Sequence, residues 1–244
     1  MIVRAPNQQV LWLIRHAETN WDRMGWVQGH LDSPRLTRRG RQQARRVASL
    51  LVTKDVGVVY SSDLRRARTT ADIIAERLGR PVVADSRLRE RNFGKLEGSP
   101  TGAPTAETTG ICGGRVTDVD ARPPGGESID DLALRCRDFI DWLVELPRHG
   151  DVVVVAHGGS IRLLQAALAG TQPAGMTWGP VGIASVHRVV LDALTATVRV
   201  HPGHEGPHWA RAPSRQWSML APNGRAQRVG DGALTVNQFV PRSV

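Results

Sequence analysis

Tyrosine, lysine and cysteine are nearly absent from this sequence, and each shortage closes off a class of function. Tyr60 is the one tyrosine, and Lys54 and Lys95 are the only lysines. No aromatic stacking platform is interleaved with the basic residues, so nucleic acid is not an expected partner. Cys112 and Cys136 show neither metal-ligand spacing nor the partners of a disulfide framework, and read as free thiols in a reducing compartment. Apolar runs are short as well. None could span a bilayer, and "VLWLI" is cut off by Arg15 before it could act as a signal sequence. A cytoplasmic protein with no membrane partner is expected.

What the chain does have is arginine. The formal net charge is +9, and residues 1–98 account for it, with 19 Lys and Arg against 10 Asp and Glu; residues 99–244 balance at 13 against 13. Such an excess suits an anionic partner, although many of these arginines fall on amphipathic helices whose outer faces are solvated in any case. With 244 residues and 41% apolar content, one α/β domain with appendages is expected rather than two domains.

The order of elements follows from periodicity. "QVLWLI" reads as a buried strand, and "LTRRGRQQARRVASLLV" as a helix with Ala44, Val47, Ala48 and Leu51 inward and Thr37 as its cap. "VGVVYSS" is a second strand, "DLRRARTTADIIAERLG" a helix ended by Gly79, and "RPVVAD" a third strand. Residues 99–126 are rich in Gly, Pro and Thr without hydrophobic periodicity, and are expected to form a lid-like insertion. Order resumes with the helix "ESIDDLALRCRDFIDWLVEL", and "DVVVVAHGGSIRLLQAAL" gives a strand, a turn and a helix. Four successive valines suggest a central strand covered on both faces. "IASVHRVVL" and "TATVRV" close the domain near residue 200, and residues 201–244 read as an extended, irregular tail. The whole describes a doubly wound, mostly parallel sheet with helices on both faces.

In such sheets ligands bind beyond the carboxyl ends of the strands. Two strand ends here deliver a histidine, His16 after "LWLI" and His157 after "VVVVA". A neutral imidazole can attack phosphorus and form a covalent intermediate. Arginines supply planar forks that match phosphate oxygens, and Arg15 precedes His16 directly. The turn "AHGGS" lets the backbone at Gly158 and Gly159 approach an anion at a helix N-terminus. A leaving oxygen needs a proton, and Glu90, just past the third strand, is the best-placed acid; a raised pKa is expected of it. Arg65 or Arg66, after the second strand, could reach the same mouth. The tail histidines have no second ligand set that would argue for a metal.

"LIRHAET", "QGHLDSP", "SSDLRRARTTA", "LRERNFGKLEG", "GGES" and "VVVVAHGGSIR" occur in an order and spacing that resembles the histidine phosphatase superfamily, with its phosphoglycerate mutase-like fold, over roughly residues 9–200. The resemblance implies that His16 is the phosphate-accepting nucleophile. Arg15, Arg65 and His157 would bind the phosphoryl group, and Glu90 would donate the proton. It also implies that no metal or organic cofactor takes part. Gln28 resembles a substrate-contacting position, although a loop glutamine is ordinarily just solvated; Arg66 and Arg68 are expected to face solvent. Two departures stand out. Asp22 occupies a position where the family usually has asparagine, and an acid there would repel a dianion unless it is paired or turned away. "LDSPRLTRRG" carries one residue more than the usual pattern.

Hydrolysis of a small phosphate ester is the expected activity, because "ERNFGKLEG" is closer to the family's phosphatases than to its glycolytic mutases and the 99–126 stretch offers only Arg115 and Arg122 as cations. A mutase returning the phosphoryl group to another oxygen is the first alternative. A catalytically weak scaffold or binding module is the second. A small-molecule phosphate ester is the expected partner, with a homodimer the one assembly entertained.

Overall fold

The computed structural model describes residues 8–147, 149–192 and 197–201. Of the tail expected over residues 201–244, His201 is the last residue of a strand and residues 202–244 lie outside the described residues.

The chain begins with β1 (Gln8–Arg15), followed by a short helix α1 (Asn20–Met24), then α2 (Arg38–Leu51), β2 (Val56–Ser61), α3 (Arg65–Leu78) and β3 (Val82–Ala84). Thr37 caps α2, its Oγ accepting from Gly40 N–H at 2.9 Å, and Ala44, Val47, Ala48 and Leu51 turn inward as their spacing predicts. Gly79 ends α3 in the left-handed conformation. Helix α1 was not legible in the sequence, since five residues carry no periodicity. Its cap is explicit nonetheless: Thr19 and Asp22 form a reciprocal capping box.

The second half comprises α4 (Ala106–Thr109), the paired strands β4 (Ile111–Cys112) and β5 (Arg115–Val116), α5 (Ile129–Glu145), β6 (Asp151–Ala156), α6 (Gly158–Leu168), β7 (Val186–Asp192) and β8 (Thr197–His201). The main sheet runs β3-β2-β6-β1-β7-β8. Strands β3, β2, β6 and β1 run parallel to one another, β7 pairs antiparallel with β1, and β8 antiparallel with β7.

Strand β6 lies at the centre, and its valines explain the two-layered core. Val153 and Val155 pack with α2 and α3 residues such as Ala48, Ala71 and Ile74 on one face. Val152 and Val154 pack with Phe139, Ile140, Ile161 and Leu164 of α5 and α6 on the other. All four are buried, which is why the strand reads as continuously apolar rather than alternating.

Residues 99–126 hold more order than their composition suggests. Arg91, 1% exposed, donates from Nε to Glu127 O and from its two terminal nitrogens to Thr109 O and Ala121 O, at 2.7–2.8 Å. One buried guanidinium thus satisfies two carbonyls of a stretch that has few hydrophobic anchors of its own, Val116 being the buried one, and a third just beyond it at Glu127. Removing it would strand those carbonyls at about 1–3 kcal/mol each.

Candidate active site

Register sets the site. Arg15 of β1 pairs with Ala156 of β6, and the next residues, His16 and His157, leave the sheet side by side. Their ring centroids are 5.2 Å apart, and both side chains are buried. Strand β2 ends alongside, where Ser62 N–H donates to Val155 O and Ser62 Oγ lies 2.9 Å from His157 Nε2.

His16 is a neutral base with an assignable tautomer. Burial, with the charges of Arg66 and Arg15 added, pushes its pKa down to about 4 despite the opposing pull of Asp22. Nδ1 sits 2.9 Å from Ala17 O. A carbonyl can only accept, so Nδ1 carries the proton and Nε2 keeps a lone pair. His157 is likewise held neutral, by burial first and then by Arg66.

Around the histidines lie three guanidiniums. Arg15 donates from Nη1 to Val181 O at 2.6 Å and from Nη2 to Asp22 Oδ1 at 3.3 Å. Arg66, 1% exposed, is held by Gly29 O and Leu31 O. Among the described residues, Nε of both Arg15 and Arg66 is buried without a partner. Buried donors without acceptors are costly, and an oxyanion in the site would satisfy them. Arg162 of α6 is the third, anchored through Nε to Gly179 O and stacked 4.7 Å from the Trp178 ring centre.

Arg65 stands elsewhere. It is exposed at the first turn of α3, with its backbone N–H on Asp32. The expectation therefore corrects by one residue: Arg66 enters the site and Arg65 does not. The helical repeat carried the signal, because Arg66, Thr70 and Ile74 form the buried row of α3 and Arg65 lies off it. Arg162 was also missed, although it follows Gly158 by four residues and so shares its face of α6.

Glu90 is positioned by α6. Oε1 accepts from Arg91 N–H at 2.9 Å and Gly159 N–H at 3.0 Å. A Cβ on residue 159 would overlap Oε1, so this close approach requires glycine. Burial would raise the Glu90 carboxyl, but these two N–H groups and the Arg162 and Arg66 guanidiniums hold it below its ordinary value. The raised pKa expected from sequence is not found. Gly158 opens onto the same space. The place its Cβ would take is 3.6 Å from Arg162 Nη1, 3.7 Å from Glu90 Oε2 and 3.9 Å from Arg15 Nη1.

The remaining expectations concern neighbouring positions. Asp22 is paired and does not face an anion alone: Oδ2 accepts from Thr19 N–H at 2.8 Å and Thr19 Oγ at 2.7 Å, while Oδ1 takes Arg15. Gln28 lies in the loop whose Gly29 and Leu31 carbonyls receive Arg66, and its Oε1 is buried with no donor among the described residues. His30 packs against the Glu90 carbonyl at 2.8 Å.

Comparison with known proteins places this arrangement. Residues 11–201 match the model of the histidine phosphatase superfamily, branch 1. A probable phosphoglycerate mutase from Yersinia enterocolitica is 37% identical over 171 residues, covering 67% of this chain and 76% of its own. The mycobacterial glucosyl-3-phosphoglycerate phosphatase superposes with a TM-score of 0.66 at 32% identity, over 82% of this chain and all of its own. A phosphoserine phosphatase from Entamoeba histolytica, solved with phosphoserine, superposes with a TM-score of 0.65 at 26% identity, over 76% of this chain and 92% of its own. With a family match across most of its length, the chain belongs to the histidine phosphatase superfamily.

Proposed function

We propose that the protein is a phosphomonoester hydrolase that works through a phosphohistidine on His16. One observation carries the reading: a neutral, buried His16 with its Nε2 lone pair available stands among guanidiniums that keep buried N–H donors unused. His16 Nε2 attacks phosphorus, the bond to the ester oxygen breaks, and Glu90 gives that oxygen a proton. Water then attacks the phosphohistidine, Glu90 recovers a proton from it, and phosphate leaves. Arg15, Arg66 and His157 stabilise the charge on the transferring group. The positive charge comes from side chains, so the reading requires no metal.

The depressed pKa of Glu90 fits this cycle. A bound phosphoryl group offsets the guanidiniums that stabilise the carboxylate and adds like charge beside it, and both effects raise the Glu90 pKa when substrate is present.

The test is phosphate release from a panel of phosphomonoesters in chelator, comparing the wild type with His16→Ala. Release that survives in the variant, or that requires added metal, overturns the mechanism. The mutase names of some relatives favour a second reading, in which the phosphoryl group passes to another substrate oxygen. Isomerised phosphate ester, with no free phosphate, would select it.

Two further outcomes are expected. Arg66→Met lowers kcat/KM at least about a hundredfold, by analogy with loss of one preorganised donor, and exposed Arg65→Met changes it less than about threefold. Equal losses would return Arg65 to the site. The pH dependence follows from proton counting. Glu90 is ionised in the free enzyme above its lowered pKa, and His16 is neutral above about 4. The proton needed by the leaving oxygen must therefore arrive with the substrate, whose second ionisation lies near ~6. For an alkyl phosphate kcat/KM is level below about pH 6 and falls about tenfold per unit above it. A level profile up to pH 8 would refute the assignment.

A further inference from the structure

We infer that Arg135, locked in place by Glu127, is a positioning residue for Glu90, holding the backbone that carries the acid without touching the substrate. The inference rests on the hydrolase reading, in which Glu90 moves the proton, and names the group that keeps Glu90 within reach.

Glu90 sits on chain that cannot support itself. Residues 89–93 belong to no helix or strand, so no ladder of backbone hydrogen bonds fixes them. Arg135 of α5 takes that part. Its Nη1 donates to Arg87 O at 2.8 Å and to Arg89 O at 2.7 Å, and its Nη2 donates to Glu90 O at 2.7 Å. Nε and Nη2 also donate to the two carboxylate oxygens of Glu127, at 3.0 and 2.9 Å. All five N–H groups of one guanidinium are thus spent in a fixed plane. Glu127 completes the hold on the far side of Glu90. Its Oε2 accepts from Asn92 N–H at 2.9 Å, and its own N–H donates to Asn92 O at 2.9 Å. His30 Nε2 adds a second donor to the Glu90 carbonyl at 2.8 Å.

The side chain of Glu90 tolerates little movement of that backbone. Its Oε1 and Oε2 lie 3.0 and 3.1 Å from Gly159 N, and a Cβ at residue 159 would come within 2.3 Å of Oε1. A backbone shift of about 1 Å would break this seat and carry the carboxyl out of hydrogen-bond reach of a leaving oxygen; misplacement on that scale costs about a hundredfold in rate. Arg135 acts through place rather than charge. Its own charge is paired with Glu127, and the guanidiniums that lower the Glu90 carboxyl are those of Arg162 and Arg66. Lysine, with its donors clustered on a flexible stem, could hold only part of the segment.

The test compares kcat/KM for glycerol 3-phosphate and nitrophenyl phosphate, because only the first needs Glu90 to protonate its leaving oxygen. Arg135→Met should slow glycerol 3-phosphate about a hundredfold and nitrophenyl phosphate less than about threefold, with Arg135→Lys between wild type and Arg135→Met. In a Glu90→Gln background the further loss on either ester should stay below about threefold, since the proton being positioned is already gone. Loss of folded protein cancels in the ratio of the two esters. Equal losses on both, or an undiminished loss in the Glu90→Gln background, overturn the inference and leave Arg135 a purely structural group. A carboxyl-carbon NMR titration of Glu90 separates the inference from the hydrolase reading, because it needs no turnover. Arg135→Met should move that titration upward, as the Gly159 and Arg91 N–H bonds that hold the carboxyl low are lost. If wild type releases no phosphate, the hydrolase reading fails while the titration still decides the role of Arg135, and an unmoved titration overturns it.

Discussion

His16→Ala is expected to reduce phosphate release at least ten-thousandfold. Removing a catalytic nucleophile costs on the order of 10⁶ in kcat in a well-studied protease, and here the rest of the site has little with which to compensate. His157 is the nearest candidate. Its Nε2 is engaged with Ser62 Oγ at 2.9 Å, and its backbone caps α6 as the residue before Gly158. Water attacking directly would retain the guanidiniums but lose the covalent step. The fold should survive, since among the described residues the His16 side chain donates only to the carbonyl of its neighbour Ala17. Unchanged circular dichroism together with activity within a hundredfold of wild type would mean that another group attacks phosphorus.

Glu90→Gln separates protonation from positioning. A glutamine Oε1 can still accept from Arg91 and Gly159 N–H groups, so the geometry around the first turn of α6 is preserved. What disappears is the transferable proton. Alkyl phosphates, whose leaving oxygens are strongly basic, should slow by about 10²–10⁴-fold. Nitrophenyl phosphate, whose leaving group departs without protonation, should lose less than about tenfold in its first step. A plot of log kcat/KM against leaving-group pKa is accordingly steeper for the variant. Equal losses across the series would make Glu90 a positioning carboxylate and leave the proton donor unassigned.

The framework of this site is written in local periodicity. Two apolar strands followed directly by histidines, a valine run, and a Gly-Gly turn opening a helix are short-range patterns, and the sheet register turns them into neighbours. Arg66 was legible only by weighing which row of α3 turns inward, because a buried guanidinium contradicts the ordinary preference of arginine for solvent. Arg162 was harder still. Its partners Trp178 and Gly179 lie in an irregular loop, and nothing local to "SIRLLQ" announces them. Order within 99–126 was illegible for a related reason: it depends on Arg91, a side chain outside the stretch, meeting carbonyls inside it. The pKa of Glu90 depends on backbone N–H groups that come together only in the fold.

The neutral histidines set how long the enzyme lasts where it works fastest. His16, His157 and His187 are all held below their ordinary pKa, chiefly by burial. An unfolded chain takes up their protons near ~6.5, so acid pulls the equilibrium toward the unfolded state from that pH downward. For His16 alone, a pKa lowered to about 4 amounts to about 2 kcal/mol lost by pH 5. Depressed carboxyls such as Glu90 and Glu127 act in the same direction, their contribution fading as pH falls through their lowered values. The midpoint of urea denaturation should accordingly drop between pH 7 and pH 5, and a constant midpoint would mean that these histidines bind protons within the fold. Over the upper part of that interval, down to about pH 6, kcat/KM on alkyl esters rises to its plateau. The burial that keeps the nucleophile unprotonated thus gives the catalyst an acid limit set by its own lifetime rather than by its chemistry.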